Sequence, residues 1–298
     1  MYEAFYGFKD KPFSLQTDPA HLYLGEVHAA AYAMLQYGLI NKAGFTVITG
    51  EIGSGKTTLL AKLVDEIESS KRVGYLYHTH AGLGQLLPWV LYAFGQDYSS
   101  DNQIELYDRF VRFLHEEKKQ GRQVILIVDE AQNLTLPLLE ELRTLSNVNF
   151  GADQLIQLIL VGQPELRDKL KHPSLKQFVQ RIAVDYHVPA LDAEETKSYV
   201  NHRLTSSGRT KPLFTSKAYA YIHRLSGGVP RIVNVICDTV LSFGFADEIE
   251  LIDGKYIVSV IKSRAAGGLL ALGYEPERRG QAKSHLLNAS SLEEASSV

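Results

Sequence analysis

Gly50–Thr58 reads G-E-I-G-S-G-K-T-T, and the stretch matches a phosphate-binding loop at every position the motif requires. Glycines at Gly50, Gly53 and Gly55, with Glu51, Ile52 and Ser54 between them, let consecutive backbone N–H groups turn inward around an anion where side chains would obstruct them. Lys56 is placed to reach the β and γ phosphates of a nucleotide, and Thr57 offers a hydroxyl to Mg²⁺. A helix predicted from Thr57 through Thr58 to Ser69 points the positive end of its dipole at the same charge. Just upstream, Ala43–Thr49 is a short, mostly apolar run, so the loop falls between a strand and a helix as the motif demands.

A second chemical motif lies about 70 residues on, and its pairing with the loop argues against a strand that merely ends in solvated acids. Val124–Glu130 reads V-I-L-I-V-D-E, and five apolar residues in a row imply a strand buried on both faces. Asp129 then emerges at the carboxyl end of a central strand, where a carboxylate can hold the Mg²⁺ shell; Glu130, one residue further out, is suited to polarise an attacking water. Gln154–Val161 is a third buried strand and ends in Gly162, Gln163 and Pro164. Gln163 is either an ordinary turn glutamine or a side chain that orients the water against the γ phosphate. With strands predicted at Arg72–Tyr77 and Ile182–Val188 and helices at Glu26–Ile40 and Leu106–Lys119, the reading is an α/β protein with a parallel sheet of about five strands.

From Pro189 the pattern becomes helical only. Asp192 with Glu195 forms a capping box, Thr215 or Ser216 caps a second helix, Pro230 opens a third and Asp253 a fourth. This gives a small C-terminal lid. Arg231 falls at a positively polarised helix start, unfavourable for a cation unless an anion such as a nucleotide phosphate is near. The expected domains are a nucleotide-binding core with an N-terminal extension over residues 1–190, the lid over 191–266, and a disordered tail over 267–298, rich in Gly, Ser, Arg, Glu and Ala. Residues 1–23 are aromatic and proline-containing and are expected to pack on the core; Tyr23 and His28 are either core packing or neighbours of the nucleotide base.

Composition adds bounds. With 298 residues, 45% hydrophobic and 22% charged, the chain has the profile of a soluble globular protein. Its 31 basic and 34 acidic residues give a net charge of −3, which leaves a local basic patch open but argues for no global polyanion binding. Cys237 is the only cysteine, so no disulfide forms within the chain, in keeping with a reducing compartment. No apolar run approaches the ~20 residues of a membrane helix, and the first ten residues do not read as a signal peptide. A cytoplasmic location is expected. His78 and His80 form an H-x-H pair without further metal-ligand spacing and are assigned no metal.

Taken together, F-Y-G-F-K-D-K-P-F-S-L, D-P-A-H-L-Y-L-G-E-V-H, G-E-I-G-S-G-K-T-T, V-D-E-A-Q-N-L, L-V-G-Q-P-E-L, Q-R-I-A-V and G-G-V-P-R-I-V-N resemble the AAA+ ATPases of the ExeA type, general secretion pathway protein A, with the TnsC-like transposition regulators as relatives. The resemblance runs from about Met1 to Arg264. It implies Walker A at Lys56 and Thr57, Walker B at Asp129 and Glu130, sensor 1 at Gln163, sensor 2 at Arg231, and an arginine finger at Arg181 reaching a neighbour's site. Self-assembly into a ring or filament through a heterologous interface is implied with it. Longer members of that family continue into a membrane span and an extracytoplasmic peptidoglycan-binding domain, and neither is read in these residues. Three roles stay open: an energiser of secretion, pilus or exopolysaccharide assembly, peripheral to the inner membrane through a partner; a DNA-binding regulator of the transposition type; or a slow nucleotide switch that recruits a partner. For DNA, Arg167, Lys169, Lys171 and Lys176 either line a ring facing phosphates or form a solvated helix face. No N-K-x-D follows the acidic strand, so ATP rather than GTP is the expected nucleotide.

Overall fold

The computed structural model describes residues 1–16, 22–67, 70–77, 84–150 and 153–267. At its centre is a five-stranded parallel sheet built from β1 (Phe45–Gly50), β2 (Lys71–Leu76), β3 (Gln123–Val128), β6 (Ile156–Gly162) and β7 (Ile182–Val188), in the order β2-β3-β6-β1-β7. The remaining strands, β4 (Asn149–Phe150) and β5 (Asp153–Gln154), form a small antiparallel hairpin. The parallel α/β sheet expected from the sequence is the sheet observed.

Strand side chains alternate between faces, and the alternation divides the core in two. Phe45, Val47, Val124, Leu126, Val128, Leu158 and Leu160 face one layer, made by α4 (Leu86–Ala93), α5 (Gln103–Lys119), α6 (Leu136–Leu145) and α7 (Pro164–Leu170). Ile48, Ile125, Ile127, Ile159 and Val161 face the other, where α2 (Glu26–Ile40) and α3 (Lys56–Glu66) pack. Helices α4 and α6 were not anticipated. In α4 apolar residues run nearly all round, which erases the helical period, whereas Thr135 capping Leu138 N and Pro137 in the first turn were signals available for α6.

After the short α8 (Lys176–Val179) and β7 come four helices, those of the expected lid: α9 (Ala193–Ser206), α10 (Ser216–Ser226), α11 (Pro230–Ala246) and α12 (Gly254–Gly267). Its own core contains Val200, Leu204, Ile222, Ile236 and the buried Cys237, whose thiol burial pushes up in pKa. Into the same cluster go Tyr2, Tyr6, Phe8 and Phe13, from the short α1 (Glu3–Tyr6) and the residues on either side of it. The N-terminal residues therefore pack on the lid rather than on the sheet. Buried Arg203 in α9 holds the following stretch by donating to Pro12 O at 2.6 Å and Ser14 O at 3.3 Å.

Helix starts behave as predicted with one difference. Asp192 accepts from Glu195 N at 2.8 Å, but the Glu195 carboxylate does not return to complete a capping box. It accepts instead from Val27 N at 3.1 Å, and so caps α2 from across the lid. Among the described residues, no helix is long and apolar enough to cross a membrane. His78, His80 and the tail beyond Gly267 lie outside the described residues.

Candidate functional site

Parallel pairing of β3, β6 and β1 brings three strand ends to one edge of the sheet. The loop after β1, Asp129 after β3 and Gln163 after β6 meet there, as ligand sites do in open α/β sheets. Beside them is a cavity of about 360 Å³ lined by Gly53, Gly55, Lys56, Thr57, Glu130, Gln163 and, from the lid, Tyr199, Arg203 and Arg231.

The loop has the backbone a phosphate cradle needs. Gly53 and Gly55 sit at φ +81° and +95°, a region side chains disfavour. A Cβ on Gly55 would lie 2.8 Å from His28 Nε2, and one on Gly53 would lie 2.4 Å from Arg231 Cβ. Ser54 Oγ is buried without a partner, a polar atom left for a ligand to satisfy. Lys56 is buried, and its Nζ donates to Gly50 O at 2.7 Å and Glu51 O at 2.9 Å. Burial lowers its pKa, while Glu130 and Asp129 pull it back up.

Thr57 Oγ1 and Tyr75 OH both donate to Asp129 Oδ2 at 3.3 Å, and Glu130 N donates to Asp129 Oδ1 at 2.9 Å. Burial raises the Asp129 pKa, which these hydrogen bonds oppose. A carboxylate and a hydroxyl side by side form the hard oxygen donor set that suits Mg²⁺, so Thr57 and Asp129 fit the metal role expected of them. Among the described residues no group of three or more His, Cys, Asp or Glu gathers as a metal cluster. Tyr75 escaped sequence reading because its reach to Asp129 follows from the register of β2 on β3, Leu76 against Val128.

Glu130 adopts a left-handed conformation, φ +51°, uncommon for a residue with a side chain and frequent at functional sites. Its Oε2 accepts from Gln163 Nε2 at 3.1 Å and from Gln132 Nε2. The Gln163 side chain thus reaches Glu130. Arg231 donates its backbone N–H to Gly53 O at 3.1 Å, which ties the start of α11 to the loop and leaves the exposed guanidinium at the cavity.

His28 Nε2 donates to Ser54 O at 2.7 Å, which fixes the protonated nitrogen, and burial lowers the His28 pKa. Tyr23 lines the cavity and meets Tyr199 edge-on at 5.8 Å and His202 at 5.5 Å. Arg181 does not join the site within the chain. It precedes Ile182, which pairs with Phe45 at the start of β1, whereas Val188 pairs with Gly50 beside the loop; six residues of strand separate the two edges by ~20 Å. The exposed Arg181 donates to Ser146 Oγ at 3.2 Å.

The cations considered for DNA are largely engaged. Arg167 pairs with Asp185 at 2.9 Å, Lys171 with Asp168 at 2.8 Å, and Lys169 donates to the carbonyls of Gln132 and, at 2.9 Å, Leu134.

These features give the chain the fold of AAA+ P-loop proteins, and residues 40–170 match the family described as AAA domain. Two archaeal structures share the fold: Cdc6p of Pyrobaculum aerophilum, with a TM-score of 0.64 at 15% identity over 85% of this chain and 70% of that one, and ORC2 of Aeropyrum pernix with ADPNP and ADP, 0.59 at 18% over 86% and 72%. At those identities the likeness is one of fold alone. The chain is also similar to general secretion pathway protein A of Aeromonas hydrophila, 38% identical over 247 residues, 83% of this chain and 45% of that protein. The chain thus spans about half the length of the relative it matches.

Proposed function

We propose that this chain binds ATP with Mg²⁺ and hydrolyses it, assembling head-to-tail and coupling turnover to the remodelling or assembly of a protein complex in a secretion or envelope-building system. The observation that carries this reading is the meeting of Lys56, the Thr57–Asp129 pair and the Glu130–Gln163 pair on one sheet edge beneath Arg231. Thr57 and Asp129 would hold Mg²⁺, which would supply positive charge against the phosphates. Lys56 and the loop N–H groups bind those phosphates. Glu130 orients the attacking water, Gln163 holds Glu130, Arg231 binds phosphate from the lid, and Tyr23 and His28 flank the base. Arg181 serves the site of the next subunit.

Kinship with general secretion pathway protein A supports a secretion partner, and through it a cytoplasmic position at the inner membrane. DNA is the weaker partner, since Arg167, Lys169 and Lys171 are already engaged within the chain. The test is phosphate release from ATP by the purified chain with and without Mg²⁺, across a range of protein concentrations. Mg²⁺-dependent release, with specific activity rising as protein is concentrated, is expected for a site completed by a neighbour; absence of release at any concentration contradicts hydrolysis.

A further inference from the structure

Gln132 stands within V-D-E-A-Q-N-L without an assigned role, yet its buried side chain joins the two strand ends that carry the chemistry. Its Oε1 accepts from Gln163 N at 3.0 Å, which orients the amide so that Nε2 donates to Glu130 Oε2. Gln163 Nε2 donates to the same oxygen. The backbone of Gln132 is held as well, since Lys169 Nζ donates to its carbonyl. A Cβ on Gly162 would lie 2.8 Å from Gln132 Oε1, so the glycine at the end of β6 leaves room for the amide.

We infer that Gln132 is a positioning residue for hydrolysis: by bridging the Gln163 backbone and the Glu130 carboxylate, it locks the direction in which Glu130 presents its second oxygen to a water. The inference rests on the proposed ATP hydrolysis at this site. Glu130 itself sits in a strained left-handed conformation, and Gln132 Nε2 adds a second donor to that of Gln163 on its Oε2. Two amide donors converging on one oxygen leave little angular freedom. The bridge also makes the Glu130 geometry answer to movement of β6 against β3, the two strands it spans.

The test uses Gln132→Glu in the full chain. The new carboxyl group still accepts from Gln163 N; ionised, it faces Glu130 with an acceptor where a donor stood, and protonated, it shares its hydrogen with Glu130 and takes away the free carboxylate, so turnover falls either way. Expected is a loss in kcat of roughly 10²-fold, as for misplacement of a catalytic group, with ATP affinity and melting temperature near wild type. In a Glu130→Gln background the same change adds no further loss, because Gln132 acts only through Glu130. Gln132→Asn, an uncharged amide one methylene too short to span both partners, shows the same split between kcat and affinity and serves if Gln132→Glu does not fold. A kcat near wild type in either variant, an equal loss with Glu130 already removed, or parallel losses of affinity and stability overturns the assignment. Absence of turnover in the wild-type chain instead removes the hydrolysis reading, and this inference with it.

Discussion

Arg181→Ala lowers ATP turnover by about 10³-fold or more, the effect of removing an arginine finger, and leaves ATP affinity unchanged. Its guanidinium lies at the sheet edge opposite its own phosphate loop, exposed and held only by a hydrogen bond to Ser146 among the contacts described. A side chain so placed cannot reach the γ phosphate of its own subunit, and truncating it removes no packing from either core. The proposed head-to-tail interface would set that edge against the next subunit's cavity, and such an interface closes into a ring or runs on as a filament. Mixing separates this account from a structural role. A Lys56→Ala subunit keeps Arg181 but lacks the phosphate lysine, whereas an Arg181→Ala subunit keeps the lysine and lacks the finger. In a random equal mixture about a quarter of interfaces pair an intact site with an intact finger, so two inactive proteins regain part of the wild-type rate. Mixed assemblies of confirmed size that stay inactive contradict the assignment.

Glu130→Gln lowers turnover by roughly 10²- to 10⁴-fold, the range for loss of a general base, while Mg²⁺-ATP still binds. The substitution is nearly isosteric, and the new carbonyl oxygen can accept from Gln132 and Gln163 as the carboxylate does. Asp129, Thr57 and Tyr75 keep their contacts. The variant should therefore accumulate in an ATP-bound assembly. Asp129→Asn should differ, because it weakens the metal's ligand and so lowers affinity for ATP in the presence of Mg²⁺. Side-by-side binding and turnover measurements check this, and identical losses of nucleotide affinity in the two variants would show that the separate roles are wrong.

What could be read from the chain was what is local. Gly50–Thr58 carries its ligand in its backbone, so spacing suffices; Val124–Val128 declares a central strand because it is apolar on both faces. Asp129 and Glu130 follow from that strand's end. Gln163 followed as a position but not as a contact, since its bond to Glu130 depends on β6 lying next to β3. Gln132 and Tyr75 were missed for the same reason: each acts across strands that are distant in sequence. The N-terminal aromatics were read as packing on the core, but the lid core they enter is formed nearly 200 residues later in the chain. Glu195 satisfied the local signature of a capping box and was drawn instead to the start of α2. Arg181 carries no local signal at all, and only the family resemblance points to it.

The central claim is that the loop from Gly50 to Thr58 holds the phosphates of ATP through Lys56. An equilibrium titration of a fluorescent ATP analogue into wild type and Lys56→Ala, each with Mg²⁺, tests it most directly. Lys56 is the buried cation of the loop, and a charge-assisted contact to phosphate contributes about 1.5–3 kcal/mol. The account predicts saturable binding by wild type, competed by ATP, and a loss in affinity of roughly 10- to 100-fold or more in the variant. Equal affinity in a folded Lys56→Ala protein would contradict it.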